Sequence, residues 1–97
     1  MVVLTAYIKL LPDKLGPALA ACREVRRHSV AESGCERYDF FLSPDDPNKI
    51  VFVEEWTSRA DLDRHFQQTA FKEFSTAIGE CCEKASEIRI FEAILEE

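Results

Sequence analysis

Four side chains able to move or hold protons crowd one part of this 97-residue chain. The stretch "EEWTSRADLDRH", residues 54–65, carries Glu54, the only tryptophan, Trp56, and one of the two histidines, His65, and Tyr38 lies one apolar run earlier. A histidine exchanges a proton near neutral pH, and a glutamate does so when burial raises its pKa. A phenol and an indole N–H supply hydrogen-bond donors. Together these groups could take a proton from a small substrate and steady the anion that remains.

Other chemistries find little support in the residue types. Gly16, Gly34 and Gly79 are the only glycines, so neither a phosphate-cradling loop nor a GxGxxG turn is present, and there is no GxSxG nucleophile elbow. Cys22, Cys35, Cys81 and Cys82 form no CxxC pair and have no histidine at ligand spacing. They are expected to be small buried hydrophobes, and no metal is expected. A net charge of -6 with scattered lysines and arginines argues against nucleic acid. No apolar run reaches the ~20 residues of a membrane span. The start, "MVVLTAYIKLL", lacks the basic residues and cleavage site of a leader, so a cytoplasmic protein is expected.

The elements that must position these groups follow from periodicity. With 46% hydrophobic and 31% charged residues the chain is ordinary globular material, and residues 1–97 are expected to form one domain. "VVLTAYIKL", residues 2–10, alternates with period two and predicts a strand. Leu15, Leu19, Cys22, Val25 and Ser29 recur at helical spacing after "LPDKLGP", predicting a helix that runs toward Gly34, with Pro17 in its first turn and Asp13 or Gly16 near its cap. "CERYDFFL" (35–42) and "KIVFVEEW" (49–56) read as an antiparallel hairpin about the turn "SPDDPN". Ser58 and Asp61 make a capping box for a short helix through Phe66. Thr69 caps the next, with Phe71, Phe74, Ile78 and Cys81 or Cys82 facing inward. "SEIRIFEAIL", 86–95, closes the chain as a fourth strand.

The order βαββαβ predicts an α+β, ferredoxin-like sandwich: a four-stranded antiparallel sheet with its helices on one face. Both faces of the later strands carry apolar residues, so the open face needs a cover, and a homodimer packed sheet to sheet, a dimeric α+β barrel, would supply it. On the third strand Ile50, Phe52, Glu54 and Trp56 share one face, while Val51, Val53 and Glu55 share the other. Glu54 is therefore either a base or a carboxylate compensated by Arg26, Arg37, Arg89 or a hydrogen-bond donor, as in an ion pair at the sheet edge. His65, three residues after Leu62 and beside Phe66, sits at the edge of the apolar side of its helix, as a proton acceptor or as a hydrogen-bonded boundary residue. His28, near the end of the first helix, suits the helix dipole. Tyr38 shares a face with Phe40 and Leu42, as a core aromatic or a phenol aimed into a pocket.

The run "SGCERYDFFLSPDDPNKIVFVEEWTSRADLDRHFQQTAFKEF", residues 33–74, resembles the antibiotic biosynthesis monooxygenase family. The likeness lies in its Gly-x-x-x-Tyr strand, acidic turn, glutamate-aromatic strand end, and histidine followed by a helix with an early phenylalanine. The resemblance implies dimers of ferredoxin-like subunits, each with a pocket between sheet and helices, oxidising a small aromatic substrate, a hydroquinone or polyketide, with O2 and without metal or flavin. It places Glu54, Trp56, His65 and Tyr38 at that pocket, and Phe52 and Leu62 complete the expected substrate wall. Haem-degrading relatives carry an asparagine and a histidine where this chain has Ala6 and Ser75, and an isomerase branch carries a second histidine where this chain has Ala70, so both activities are disfavoured. Under this resemblance His65 is the expected base, with Glu54 orienting it or serving instead, and Tyr38 and the Trp56 N–H donate. A dimeric ligand-binding or stress-response module without chemistry is the alternative.

Overall fold

Alternation along residues 2–10 buries one side of the first strand and leaves the other half-covered. In the computed structural model, which describes residues 1–97, Val2, Leu4, Ala6, Ile8 and Leu10 are all under 9% exposed. The elements are β1 (Val2–Lys9), α1 (Leu15–Ser29), β2 (Cys35–Leu42), β3 (Lys49–Trp56), α2 (Arg59–Phe66), α3 (Thr69–Gly79) and β4 (Glu87–Glu92). The sheet is antiparallel throughout, in the order β2-β3-β1-β4. This is the expected ferredoxin-like α+β arrangement, with its second helical segment divided between α2 and α3.

The core lies between the helices and the inner sheet face. Ala18, Cys22, Val25 and Ser29 line the buried side of α1, and Ile50, Phe52, Glu54 and Trp56 line that of β3. All four cysteines are free thiols, and burial pushes Cys22 up to about 12. No helix is long and apolar enough to cross a membrane.

Several boundaries differ from the periodicity. α1 stops at Ser29 because residues 29–35 fold into a turn, with Glu32 N–H donating to Ser29 O and Cys35 N–H to Glu32 O. Lys14, not Asp13 or Gly16, occupies the N-cap of α1, and Gln68, not Thr69, that of α3; neither makes a side-chain cap. Cys81 and Cys82 lie beyond α3, Cys82 bridging to Leu10. β4 ends at Glu92, opposite Val2, short of the expected residue 95, and just beyond it Met1 and Ala93 exchange hydrogen bonds between backbone N–H and carbonyl groups at 2.9 and 3.0 Å.

The junction that aims α2 is the most specified part of the backbone. Ser58 caps α2 by accepting the Asp61 N–H at 3.2 Å, and its hydroxyl donates back to the Asp61 carboxylate at 2.9 Å. Thr57 N–H donates to Gly34 O at 2.8 Å, tying this corner to the start of β2. Gly34 sits at φ +84°, in the left-handed region, and a Cβ there would run into the Asp61 carboxylate. Gly34→Ala should therefore lower the free energy of unfolding by about 1–3 kcal/mol, combining strain with a displaced cap. Urea denaturation measures this, and an unchanged midpoint would refute the close approach.

Candidate active site

The helices cover the sheet unevenly. No helix packs squarely over β4, whose inward-facing Ile88 and Ile90 remain 53% and 37% exposed. A cavity of about 410 Å³ opens beneath α3, within the size range of small-molecule sites. Leu4, Ala6, Phe52, Phe74 and Ile78 make much of its apolar wall, and Tyr38 and Glu54 are the polar groups on its sheet floor. The segment after α3 adds Cys82 and Lys84.

The period-two pattern of β3 puts Glu54 inside, at 4% exposure, and the β2–β3 register sets Tyr38 directly opposite it. The Trp56 indole N–H donates to Glu54 Oε1 at 3.1 Å, both residues projecting from the same strand face. Burial pushes the Glu54 pKa up to about 7, against the Trp56 N–H and the Tyr38 hydroxyl, which favour the charged form; the Glu32 charge adds to the rise. No arginine pairs with Glu54. Arg37 instead pairs at 3.0 Å with Glu55 on the outer face, so the ion-pair reading belongs to the neighbouring glutamate.

α2 brings His65 down onto this cluster, where it is 1% exposed and deeper than a boundary position. Its ring lies 4.8 Å from that of Trp56 and 5.4 Å from that of Tyr38, centroid to centroid. Nε2 is 3.4 Å from the Tyr38 hydroxyl, and Nδ1 is 3.1 Å from both carboxylate oxygens of Glu32. Burial lowers the His65 pKa, opposed by Glu32. Burial, then the charge of Glu54, pushes the Tyr38 phenol far up. At neutral pH the site therefore offers a carboxyl that titrates, a neutral phenol and an imidazole biased toward its neutral form.

Of the six residues expected at the pocket, Tyr38, Phe52 and Glu54 line the cavity, whereas Trp56, Leu62 and His65 stand behind that wall. The Trp56 N–H is already committed to Glu54. The carboxylate that orients His65 is Glu32, not Glu54. Glu32 sits in the turn after α1, where no period marks a direction; its distance of two residues from Gly34 was the only available signal. No group of three or more His, Cys, Asp or Glu side chains is arranged to hold a metal ion.

The fold is ferredoxin-like, with a largely apolar cavity under its helical layer. The family model for antibiotic biosynthesis monooxygenase matches residues 1–77, and the chain belongs to that family. It is 34% identical over 90 residues to the uncharacterised protein sll1783 of Synechocystis sp. (strain ATCC 27184 / PCC 6803 / Kazusa), covering 93% of this chain but only 61% of that protein's length. It is 35% identical over 74 residues, 76% of this chain and 78% of the relative, to YcnE of Bacillus subtilis (strain 168), named as a proposed monooxygenase. A crystal structure of an antibiotic biosynthesis monooxygenase superposes with a TM-score of 0.92 at 27% identity, over 98% of this chain and all of that one.

The Glu54 carboxyl also makes stability depend on pH. Its folded pKa of about 7 exceeds the ordinary value of 4.5, so the folded chain holds a proton that the unfolded chain releases. This contribution is complete below pH 4.5 and is lost as pH rises through about 7, a change of about 3 kcal/mol at most. Glu54→Gln keeps the neutral shape and removes the titration. Urea unfolding should show the variant nearly equal to wild type at pH 4.5 and more stable by as much as ~3 kcal/mol at pH 8. A constant difference across that range would refute the burial of Glu54 as the cause.

Proposed function

We propose that this protein is a cofactor-independent monooxygenase that oxidises a small hydroquinone or polyketide-like aromatic with O2. The observation that carries the reading is a carboxyl with a pKa of about 7 on the floor of a largely apolar cavity, beside a neutral phenol. Family membership and a relative named as a proposed monooxygenase support it. Triplet oxygen reacts slowly with closed-shell organics, so an ionised quinol or anthrone must itself supply the electrons. Removing one proton in a dry site, where the anion is held against apolar walls, is then the protein's main task.

Glu54 is the base in this reading, because it borders the cavity while His65 lies behind Tyr38. It takes the substrate proton, and the anion passes an electron to O2. The resulting radical pair joins at a ring carbon to give a peroxide, and the Tyr38 O–H turns from its resting acceptor, His65 Nε2, to the developing oxyanion. Loss of water then leaves a new carbonyl. An anthrone CH2 and O2 thus become C=O and H2O, and a hydroquinone and O2 become a hydroxyquinone and H2O. The returning proton comes from Glu54, which regains its starting state.

Oxygen uptake with a panel of hydroquinones and anthrones tests this. Glu54→Gln should lower kcat by about 10²–10⁴-fold, the usual contribution of a positioned base. Turnover unaffected by Glu54→Gln would remove Glu54 as the base, and tight binding of the aromatics with no uptake would favour a non-catalytic ligand-binding module.

A homodimer belongs to the same proposal. Phe41 and Phe91, on the outer sheet face, are 57% and 48% exposed, and Ile94 and Leu95 beyond β4 are 89% and 67% exposed. Apolar area of this kind on an 11.1 kDa chain is what a second copy would cover. Sedimentation should give twice the chain mass, and Phe91→Lys should shift it toward monomer; a wild-type monomer would overturn the dimer.

A further inference from the structure

The Tyr38 hydroxyl has one proton and several acceptors around it. The Glu54 carboxyl, opposite it across the β2–β3 ladder, is one of them, and a phenol proton directed there would favour its charged form. His65 Nε2 lies 3.4 Å from it, a long contact of the kind that tightens when a site fills. Ser29 of α1 also faces it, with its own proton committed to Val25 O at 2.6 Å. What decides among them sits on the far side of His65. A carboxylate can only accept, and both Glu32 oxygens lie 3.1 Å from Nδ1, so that nitrogen must carry the hydrogen. A neutral imidazole protonated at Nδ1 has only a lone pair at Nε2, which then accepts from Tyr38.

We propose that Glu32 is a positioning residue that fixes the direction of the hydrogen bonds in this row. By holding the Nδ1–H of His65 it turns the Tyr38 O–H toward His65 and away from Glu54, leaving the Trp56 indole as the donor that the carboxyl keeps. A side chain on an outer crevice between α1 and the start of α3 thereby governs how readily the cavity carboxyl holds a proton. The catalytic meaning of this control rests on the reading of Glu54 as base; the control itself does not. Without it the phenol would donate to Glu54, which would ionise more easily but become a weaker base.

The charged and titratable surroundings are few. Facing Glu54 and Tyr38 are Cys35 from β2, Ser29 from α1, His65 from α2 and Glu32 itself, with Cys82 and Lys84 elsewhere on the cavity wall. His65 otherwise meets the rings of Trp56, Phe66 and Phe71. The crevice beyond Glu32 adds His28 and Glu73.

Removing Glu32 also removes a negative charge, which by itself would ease ionisation of Glu54, so the test must separate charge from direction. Nitrogen-15 NMR of wild type needs no variant and should show His65 as the Nδ1–H tautomer at neutral pH; an Nε2–H tautomer overturns the proposal. The Glu54 carboxyl is then titrated by carbon-13 NMR in wild type, Glu32→Ala, Tyr38→Phe and the double variant. Glu32→Ala should lower the Glu54 pKa by roughly one unit more when Tyr38 is present than when Phe stands there. Equal shifts in both backgrounds would mean that charge alone acts, and the proposal falls. Oxygen uptake is recorded for the same proteins. If the tautomer and the coupling hold while no aromatic is oxidised, the monooxygenase reading fails and the role of Glu32 stands.

Discussion

A carboxyl group buried on the inner face of β3 is the constraint around which this small domain is arranged. Taking a carboxylate out of water is costly unless donors meet it. Glu54 has an indole N–H at 3.1 Å and a neighbouring phenol, with no cation in contact. The remaining imbalance appears as a pKa near 7 instead of a broken fold. That outcome requires β3 to be an interior strand, flanked by β2 and β1, so that Tyr38 and Leu4 stand on either side of Glu54 and keep bulk water away. An edge strand would leave the same carboxyl wet and ordinary.

The parts that hold the fold and those that shape the site are adjacent but separate. Ser58, Asp61 and Gly34 fix the corner where β3 turns into α2, and none of them borders the cavity. Their effect on the site is to set the angle at which α2 delivers His65. Eight residues of helix bury only Leu62 and His65, so the position of the imidazole depends on the cap as much as on its own contacts. The stretch 54–65 is thus a fold junction that also carries, at its two ends, a cavity carboxyl and the imidazole behind that cavity's wall.

Legibility in the sequence followed periodicity. Alternation along β1 and β3 was enough to assign faces, place Glu54 inward and Glu55 outward, and predict the sheet, because a strand's period of two leaves no ambiguity about sides. The Ser58–Asp61 box located α2 for a similar reason, since cap and acceptor are three residues apart by helix geometry. Which inward residues would touch the cavity was not legible. Trp56, Leu62 and His65 face inward but lie behind Tyr38 and Phe52, and depth within a core depends on how far each helix stands from the sheet. Glu32 was missed altogether. It acts across 33 positions of sequence from an irregular turn, where neither period nor cap indicates direction.

β4 shows how the same period joins two demands that look independent. Its residues alternate between faces: Ile88 and Ile90 point to the cavity side, opposite Ala6 and Leu4, while Phe91 points to the open face, opposite Val3. With no helix squarely over it, this strand is held chiefly by its ladder to β1, and its six residues are all exposed. A cover on the open face would press on Phe91 and restrain the neighbours that border the cavity mouth, since a strand moves as one pleated unit. An uncovered β4 leaves that side of the cavity loosely walled and open to solvent. Water near Glu54 would pull its pKa back toward the ordinary carboxylate range, because desolvation is the first cause of the rise. In the single chain the helices and the flanking strands already keep Glu54 4% exposed, so a second copy resting on β4 would add to a dryness that the fold itself supplies.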